Sequence, residues 1–242
     1  MGIQGLSGLL DYEDNRNRVV FVLGGMERRR LREGETKAMG KNRVITIGRQ
    51  LGSGGSYIGR EVARRLGIEC YDKRLIELAC KYGNVDLERM KDAEEKRANP
   101  FLFSVPREVQ NDRTGHGGSI NDMVFNLQSA VIRQLAERES CIIVGRCADY
   151  VLREQEDVRS VFIFSDLGSR IERVSEKRKV LRDQALNLIR KEDKTRRNYY
   201  ECYAGKRWGS TESYDVSLNS GRLGLNGCVE MICALYNQME MK

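Results

Sequence analysis

The segment that most limits how this chain can fold is Val44-Ile45-Thr46-Ile47 running directly into Gly48-Arg49-Gln50-Leu51-Gly52-Ser53-Gly54-Gly55-Ser56. Its first four residues are all β-branched, the composition of a buried strand. Beyond the glycines, Ile58, Val62 and Leu66 recur four apart, which predicts one apolar face of a helix beginning near Tyr57. A glycine-rich turn between a strand and a helix aims backbone N–H groups and the positive helix end at one point. That point suits phosphate, and a purely structural tight turn is the alternative reading.

The same alternation continues downstream. Strand-length apolar bursts stand at Arg43 to Ile47, Ile68 to Tyr71, Cys141 to Gly145, Ser160 to Phe164 and Asp215 to Leu218. Helical spacing lies between and after them, at Ile120, Val124, Leu127, Val131 and Leu135, and at Leu225, Cys228, Ile232, Leu235 and Met239. Strands alternating with helices predict an α/β fold, a parallel sheet of about five strands flanked by helices. Residues 1–40 carry no docking period and are expected to be a poorly ordered N-terminal extension, with Met39 a candidate natural start.

Composition removes several classes of chemistry. The 242 residues hold one histidine, His116, read as an exposed loop residue in a glycine-rich stretch, so Ser-His-Asp chemistry and multi-histidine metal centres have almost nothing to work with. Seven scattered cysteines without a C-x-x-C pair argue against a disulfide framework and a zinc knuckle, and predict reduced, mostly core-filling thiols. The longest apolar run, Met231 to Tyr236, is far short of the ~20 residues of a membrane span. The start, Met1-Gly2-Ile3-Gln4, lacks the basic head and apolar stretch of a leader, and the expectation is a cytoplasmic chain.

The net charge is +7, and from Arg170 to Arg197 eleven Lys/Arg face five acids. Such a field favours a polyanion: nucleic acid, an anionic surface or nucleotide phosphates. A solvated basic helix face is the plain alternative.

The glycine turn departs from the G-x-x-x-x-G-K-[ST] phosphate loop. Arg49 stands where its first Gly belongs, Gly54 and Ser56 match, and Gly55 replaces the Lys. Arg49, Arg60 and Lys73 are near enough in sequence to supply the missing cation, and spacing does not choose among them. A dinucleotide fold competes, with Gly52-x-Gly54 followed by Asp72, but Tyr57 occupies the third glycine position.

Four segments together carry a family resemblance: Ile47-Gly48-Arg49-Gln50-Leu51-Gly52-Ser53-Gly54-Gly55, Tyr71-Asp72-Lys73-Arg74-Leu75-Ile76, Ile143-Val144-Gly145-Arg146-Cys147-Ala148-Asp149-Tyr150, and Asp193-Lys194-x-Arg196-x-x-Tyr199-Tyr200 with Tyr214-Asp215. Over about residues 43–240 the chain resembles the cytidylate kinase-like family, a branch of the P-loop nucleoside monophosphate kinases, in which a lysine-free loop is typical. The resemblance implies a P-loop-type sheet and transfer of the ATP γ-phosphoryl to CMP or dCMP with Mg²⁺. Its partners would be ATP and a nucleoside monophosphate, without membrane or nucleic acid.

Carried onto this sequence, the resemblance implies ATP binding by Gly52, Ser53, Gly54, Gly55 and Ser56, with the Ser56 hydroxyl the metal contact. It implies acceptor binding by Tyr71, Asp72, Arg146, Asp149 and Arg196, and catalytic roles for Arg146, Asp193 and Arg196. Residues 73–118 would be an acceptor-binding lobe and 170–200 a lid region with Arg173, Arg178 and Arg190. Gly-Arg-Asp is the family pattern at Gly145-Arg146, whereas here Cys147 follows and the acid comes at Asp149.

Spacing adds its own reading. Ile189, Asp193, Arg196 and Tyr200 step by four, three and four, which puts both charges on a helix face that otherwise carries apolar residues. Either they pair with each other or they reach the acceptor nucleotide. Arg146 has a structural ion pair as its alternative, and Tyr199, Tyr200 and Trp208 either stack on a base or fill the core. A nucleotide-binding pseudokinase with a regulatory role remains open because Gly55 removes the loop charge, and a nucleic-acid-binding module is disfavoured because basic and aromatic residues do not interleave.

Overall fold

The computed structural model describes residues 42–72, 74–83 and 120–239. The N-terminal extension, His116 and most of the expected acceptor lobe lie outside them. Five strands form the frame: β1 (Val44–Arg49), β2 (Glu69–Tyr71), β3 (Cys141–Val144), β4 (Val158–Phe164) and β5 (Val216–Asn219). They make one sheet in the order β2-β3-β1-β4-β5, with every neighbouring pair parallel. This is the α/β parallel sheet of five strands flanked by helices that the sequence pattern predicts.

Both faces of the sheet are covered, so its central strands read as apolar runs rather than alternating ones. The pleat nevertheless sorts their side chains. Val44, Cys141 and Ile143 join Leu75, Ala79, Val124, Val131, Ile132 and Leu135 on one side, under α2 (Arg74–Gly83) and α3 (Ile120–Arg138). Ile45, Ile47, Ile142, Val144, Val161 and Ile163 pack on the other against Ile58 and Val62 of α1 (Gly55–Leu66) and Cys228, Val229 and Ile232 of α7 (Ser220–Gln238).

Helix α1 starts two residues earlier than its apolar spacing suggests, because the amides of Tyr57 and Ile58 both bond to the Gly54 carbonyl at 2.9 Å. It ends at Gly67, left-handed at φ 67, with Arg64 and Arg65 complementing the dipole of the last turn. A short α4 (Ala148–Val151) follows β3. Helix α5 (Leu167–Arg178) and the 23-residue α6 (Arg182–Ala204), which pack on each other, carry the basic stretch. All seven cysteines are free thiols, four of them buried, and burial pushes Cys141 up to about 12. Among the described residues no helix is long and apolar enough to cross a membrane.

Candidate functional site

Parallel strands present their carboxyl ends at one edge, and there the chain leaves β1 into the glycine turn. The backbone of that turn is held from outside. Ser53 Oγ donates to the Gln50 carbonyl at 2.9 Å, Arg170 Nε to that of Leu51 at 2.7 Å, Arg173 Nη1 to that of Gly52 at 3.2 Å, and Ser220 Oγ to that of Ser53 at 2.6 Å. Four successive carbonyl oxygens, which would repel an anion, are thereby occupied by donors. The Leu51 amide donates to Asp193 Oδ1 at 2.7 Å, and the other Asp193 oxygen is paired with Arg170 in a buried contact.

Gly52 and Gly54 are left-handed, at φ 80 and 82. A Cβ on Gly52 would also come within 2.7 Å of the Arg170 carbonyl, so the turn needs glycine there for space as well as conformation. Helix α1 then opens without a side-chain cap and without an acid in its first turn. An uncapped, acid-free helix start keeps its positive end for an incoming anion.

Beside the turn lies a cavity of about 270 Å³, lined by Gly48, Arg49, Gly145, Arg146, Cys147, Asp149, Thr195, Arg196 and four aromatic residues. Three arginines from three elements share it. Arg49 is the last residue of β1, Arg146 follows β3, and Arg196 comes from α6. Gly145, Arg146 and Cys147 are all left-handed, with φ of 82, 61 and 53. Two such non-glycine residues cost on the order of 1–3 kcal/mol each, a strain that is concentrated where the chain turns Arg146 onto the cavity.

Arg196 Nη1 donates to the Arg49 carbonyl at 3.2 Å, and Nη2 pairs with Glu192 at 3.3 Å. Burial lowers the pKa of Arg196, and burial together with the neighbouring Arg196 and Arg146 charges pushes Arg49 down to about 9. A negative ligand would relieve that crowding.

Four aromatic side chains complete the lining. Tyr200 stacks on Tyr214 with ring centroids 5.7 Å apart, and Trp208 meets Phe162 edge-on at 5.3 Å. Tyr200 donates its hydroxyl to Asp149 Oδ2 at 2.7 Å. Burial raises the Asp149 carboxyl above its usual range despite that bond.

A family model described as the cytidylate kinase-like family matches residues 44–222, from the first strand past the start of the last helix. The chain belongs to the cytidylate kinase-like family. Among solved structures it is similar to an uncharacterized protein from Eubacterium ventriosum, 27% identical with a TM-score of 0.61, over 81% of this chain and 99% of that one. A shikimate kinase from Bacteroides thetaiotaomicron aligns at 14% identity and a TM-score of 0.48, over 81% of this chain and 98% of that one. A shikimate kinase from Acinetobacter baumannii, in complex with shikimate, aligns at 15% and 0.42, over 83% and 96%. No curated protein matches the chain.

In this cytidylate kinase-like chain the structure gathers only part of the expected site. Arg146, Asp149 and Arg196 line the cavity, together with Tyr199, Tyr200 and Trp208. Tyr71 turns into the core instead, donating its hydroxyl to Glu139 at 2.7 Å, and Asp72 pairs with Arg49 at 3.5 Å and Arg60 at 3.8 Å. Asp193 and Arg196 share a helix face, as their spacing predicts, yet they do not pair with each other: Asp193 takes Leu51 and Arg170, while Arg196 takes Arg49 and Glu192.

Of the expected lid arginines, Arg173 braces the turn and also bonds Ser220. Arg178 pairs with Glu192 at 2.6 Å, and Arg190 is exposed on α6. Arg170, buried beneath the turn, escaped the sequence reading because nothing in a run of basic residues marks one as internal.

Proposed function

We propose that this chain is a nucleoside monophosphate kinase that passes the γ-phosphoryl of ATP to a cytidylate-type acceptor, CMP or dCMP. The observation that carries this reading is the cavity lined jointly by the three arginines Arg49, Arg146 and Arg196 and by the aromatic side chains Tyr199, Tyr200, Trp208 and Tyr214. A monophosphate needs both, a cationic grip for its phosphate and a flat apolar surface for its base. The volume is close to the lower bound for small-ligand sites.

Phosphoryl transfer to a phosphate asks little of a protein beyond positioning and charge neutralisation, because the acceptor oxygen is already an anion. Gly52, Ser53, Gly54, Gly55 and Ser56 would present the start of α1 to the donor phosphates. Arg146 and Arg196 would hold the acceptor phosphate in line, and Asp149 would face the base. Asp193 serves in this scheme by fixing the turn rather than by touching substrate, as would Arg173.

Among the described residues there is no cluster of three or more metal-ligating side chains. The half-buried Ser56 offers one hydroxyl, which fits a Mg²⁺ held mainly by nucleotide phosphates and water. Bound there, Mg²⁺ would neutralise charge on the phosphates.

The basic stretch supports the same reading over a nucleic-acid face. Arg170, Arg178, Arg182 and Arg196 each meet Asp193, Glu192 or Glu172, and Arg173 is engaged with backbone. Five of the eleven basic side chains of that stretch are thus tied to acids or backbone of this chain. Coupled ADP release with CMP, dCMP, UMP, AMP and GMP tests the proposal, with turnover expected for the cytidylates. ATP binding without turnover on any of them would leave a regulatory nucleotide-binding protein.

A further inference from the structure

We propose that Arg49 is the phosphate-gripping cation of this site, supplying from the last position of β1 the charge that Gly55 does not supply from the turn. The inference rests on the kinase reading only for which phosphate is held; the claim that a phosphate is held there stands on the geometry. Of the three cations the sequence leaves open, Lys73 lies outside the described residues. Arg60 is more than half exposed and reaches Asp72 only at 3.8 Å. Arg49 lines the cavity, with a side chain one-fifth exposed.

A purely structural arginine in such a place would have its donors satisfied. Arg49 does not: its Nε is buried without a partner, and its guanidinium meets Asp72 Oδ1 at a limiting 3.5 Å. The charges around it are Arg146 and Arg196 on one hand and Asp72 and Glu192 on the other, and Glu192 is itself shared with Arg178 and Arg196. The balance left at the cavity is cationic.

Two glycines make the space. A Cβ on Gly55 would come within 2.5 Å of the Arg49 Cβ, and one on Gly145 would collide with Arg49 Nη1. A side chain at position 55, a lysine included, would therefore compete for space with the Arg49 stem. A guanidinium also grips phosphate through paired N–H groups where an ammonium acts as a point charge.

Pyrophosphate, an anion without a base, is the direct probe. Titration calorimetry on the full chain should show binding by wild type, a loss of tenfold or more in Arg49→Met, and partial recovery in Arg49→Lys, with melting temperatures confirming folding. If Arg49→Met does not fold, Arg49→Gln, which keeps a polar side chain of similar reach without the charge, should show the same loss. Wild type that fails to bind pyrophosphate, or variants that bind it as wild type does, would overturn the inference. Arg49-dependent binding with no turnover on any monophosphate would instead retire the kinase reading and leave the phosphate site standing.

Discussion

Asp193 and Arg170 meet beneath the glycine turn as a buried ion pair, and between them they also hold both backbone groups of Leu51. Asp193 accepts from its amide and Arg170 donates to its carbonyl, each at 2.7 Å. One peptide neighbourhood of the turn is thus fixed by two helices that lie more than a hundred residues further along the chain.

Asp193→Ala should destabilise the protein by about 3–5 kcal/mol, because it strands a buried guanidinium and frees an amide. The double variant Arg170→Met with Asp193→Leu should lose less than Asp193→Ala, since removing both charges removes the desolvation cost with them. Urea denaturation of the three proteins decides this. If Asp193→Ala matched wild type, the pair would not be what holds the turn.

Arg196→Ala should leave folding nearly intact and remove activity. Its side chain is one-quarter exposed, and its bonds are to a surface-facing Glu192 and one carbonyl. A donor acting on charge that develops during transfer contributes on the order of 100–1000-fold to kcat. The coupled assay beside a thermal melt measures both, and a small kcat effect with a large fall in Tm would assign Arg196 a structural role.

The Asp149 carboxyl gives a pH signature. Burial is the leading cause of its raised pKa, so the folded state prefers it protonated. Relative to an unfolded pKa of 3.8, the unfolded chain releases this proton first as pH rises, and stability falls across the window up to the folded value. Asp149→Asn, which still accepts from Tyr200, should therefore melt higher than wild type at neutral pH. The gap should close as pH falls toward about 4, the ordinary carboxylate range. Melting curves from pH 4 to 8 test it, and a gap independent of pH would refute it.

Gly52→Ala should cost more than the about 1–2 kcal/mol of a left-handed alanine, because its Cβ also meets the Arg170 carbonyl. Gly67→Ala is the matched control, left-handed at φ 67 with nothing within 4 Å. The difference in chemical stability between the two isolates the steric part, and equal losses would mean that the turn relaxes freely.

What the sequence determined by itself was the regular part of the backbone, which repeats residue by residue. β-Branched bursts at period-independent burial marked all five strands, the four-residue steps of Ile58, Val62 and Leu66 marked α1, and the glycine turn followed from the strand and helix on either side of it. The spacing of Asp193 and Arg196 likewise put both on one helix face. Tertiary structure alone decided the partners. Asp193 is 142 residues from Leu51 in sequence, Arg196 is 147 from Arg49, and only the placing of the paired helices α5 and α6 against the turn after β1 brings them together. The same holds for Tyr71, which the family resemblance put in the site but whose side chain is turned into the core. Periodicity is written residue by residue, whereas which charge meets which is set by how layers stack, and no local pattern encodes that.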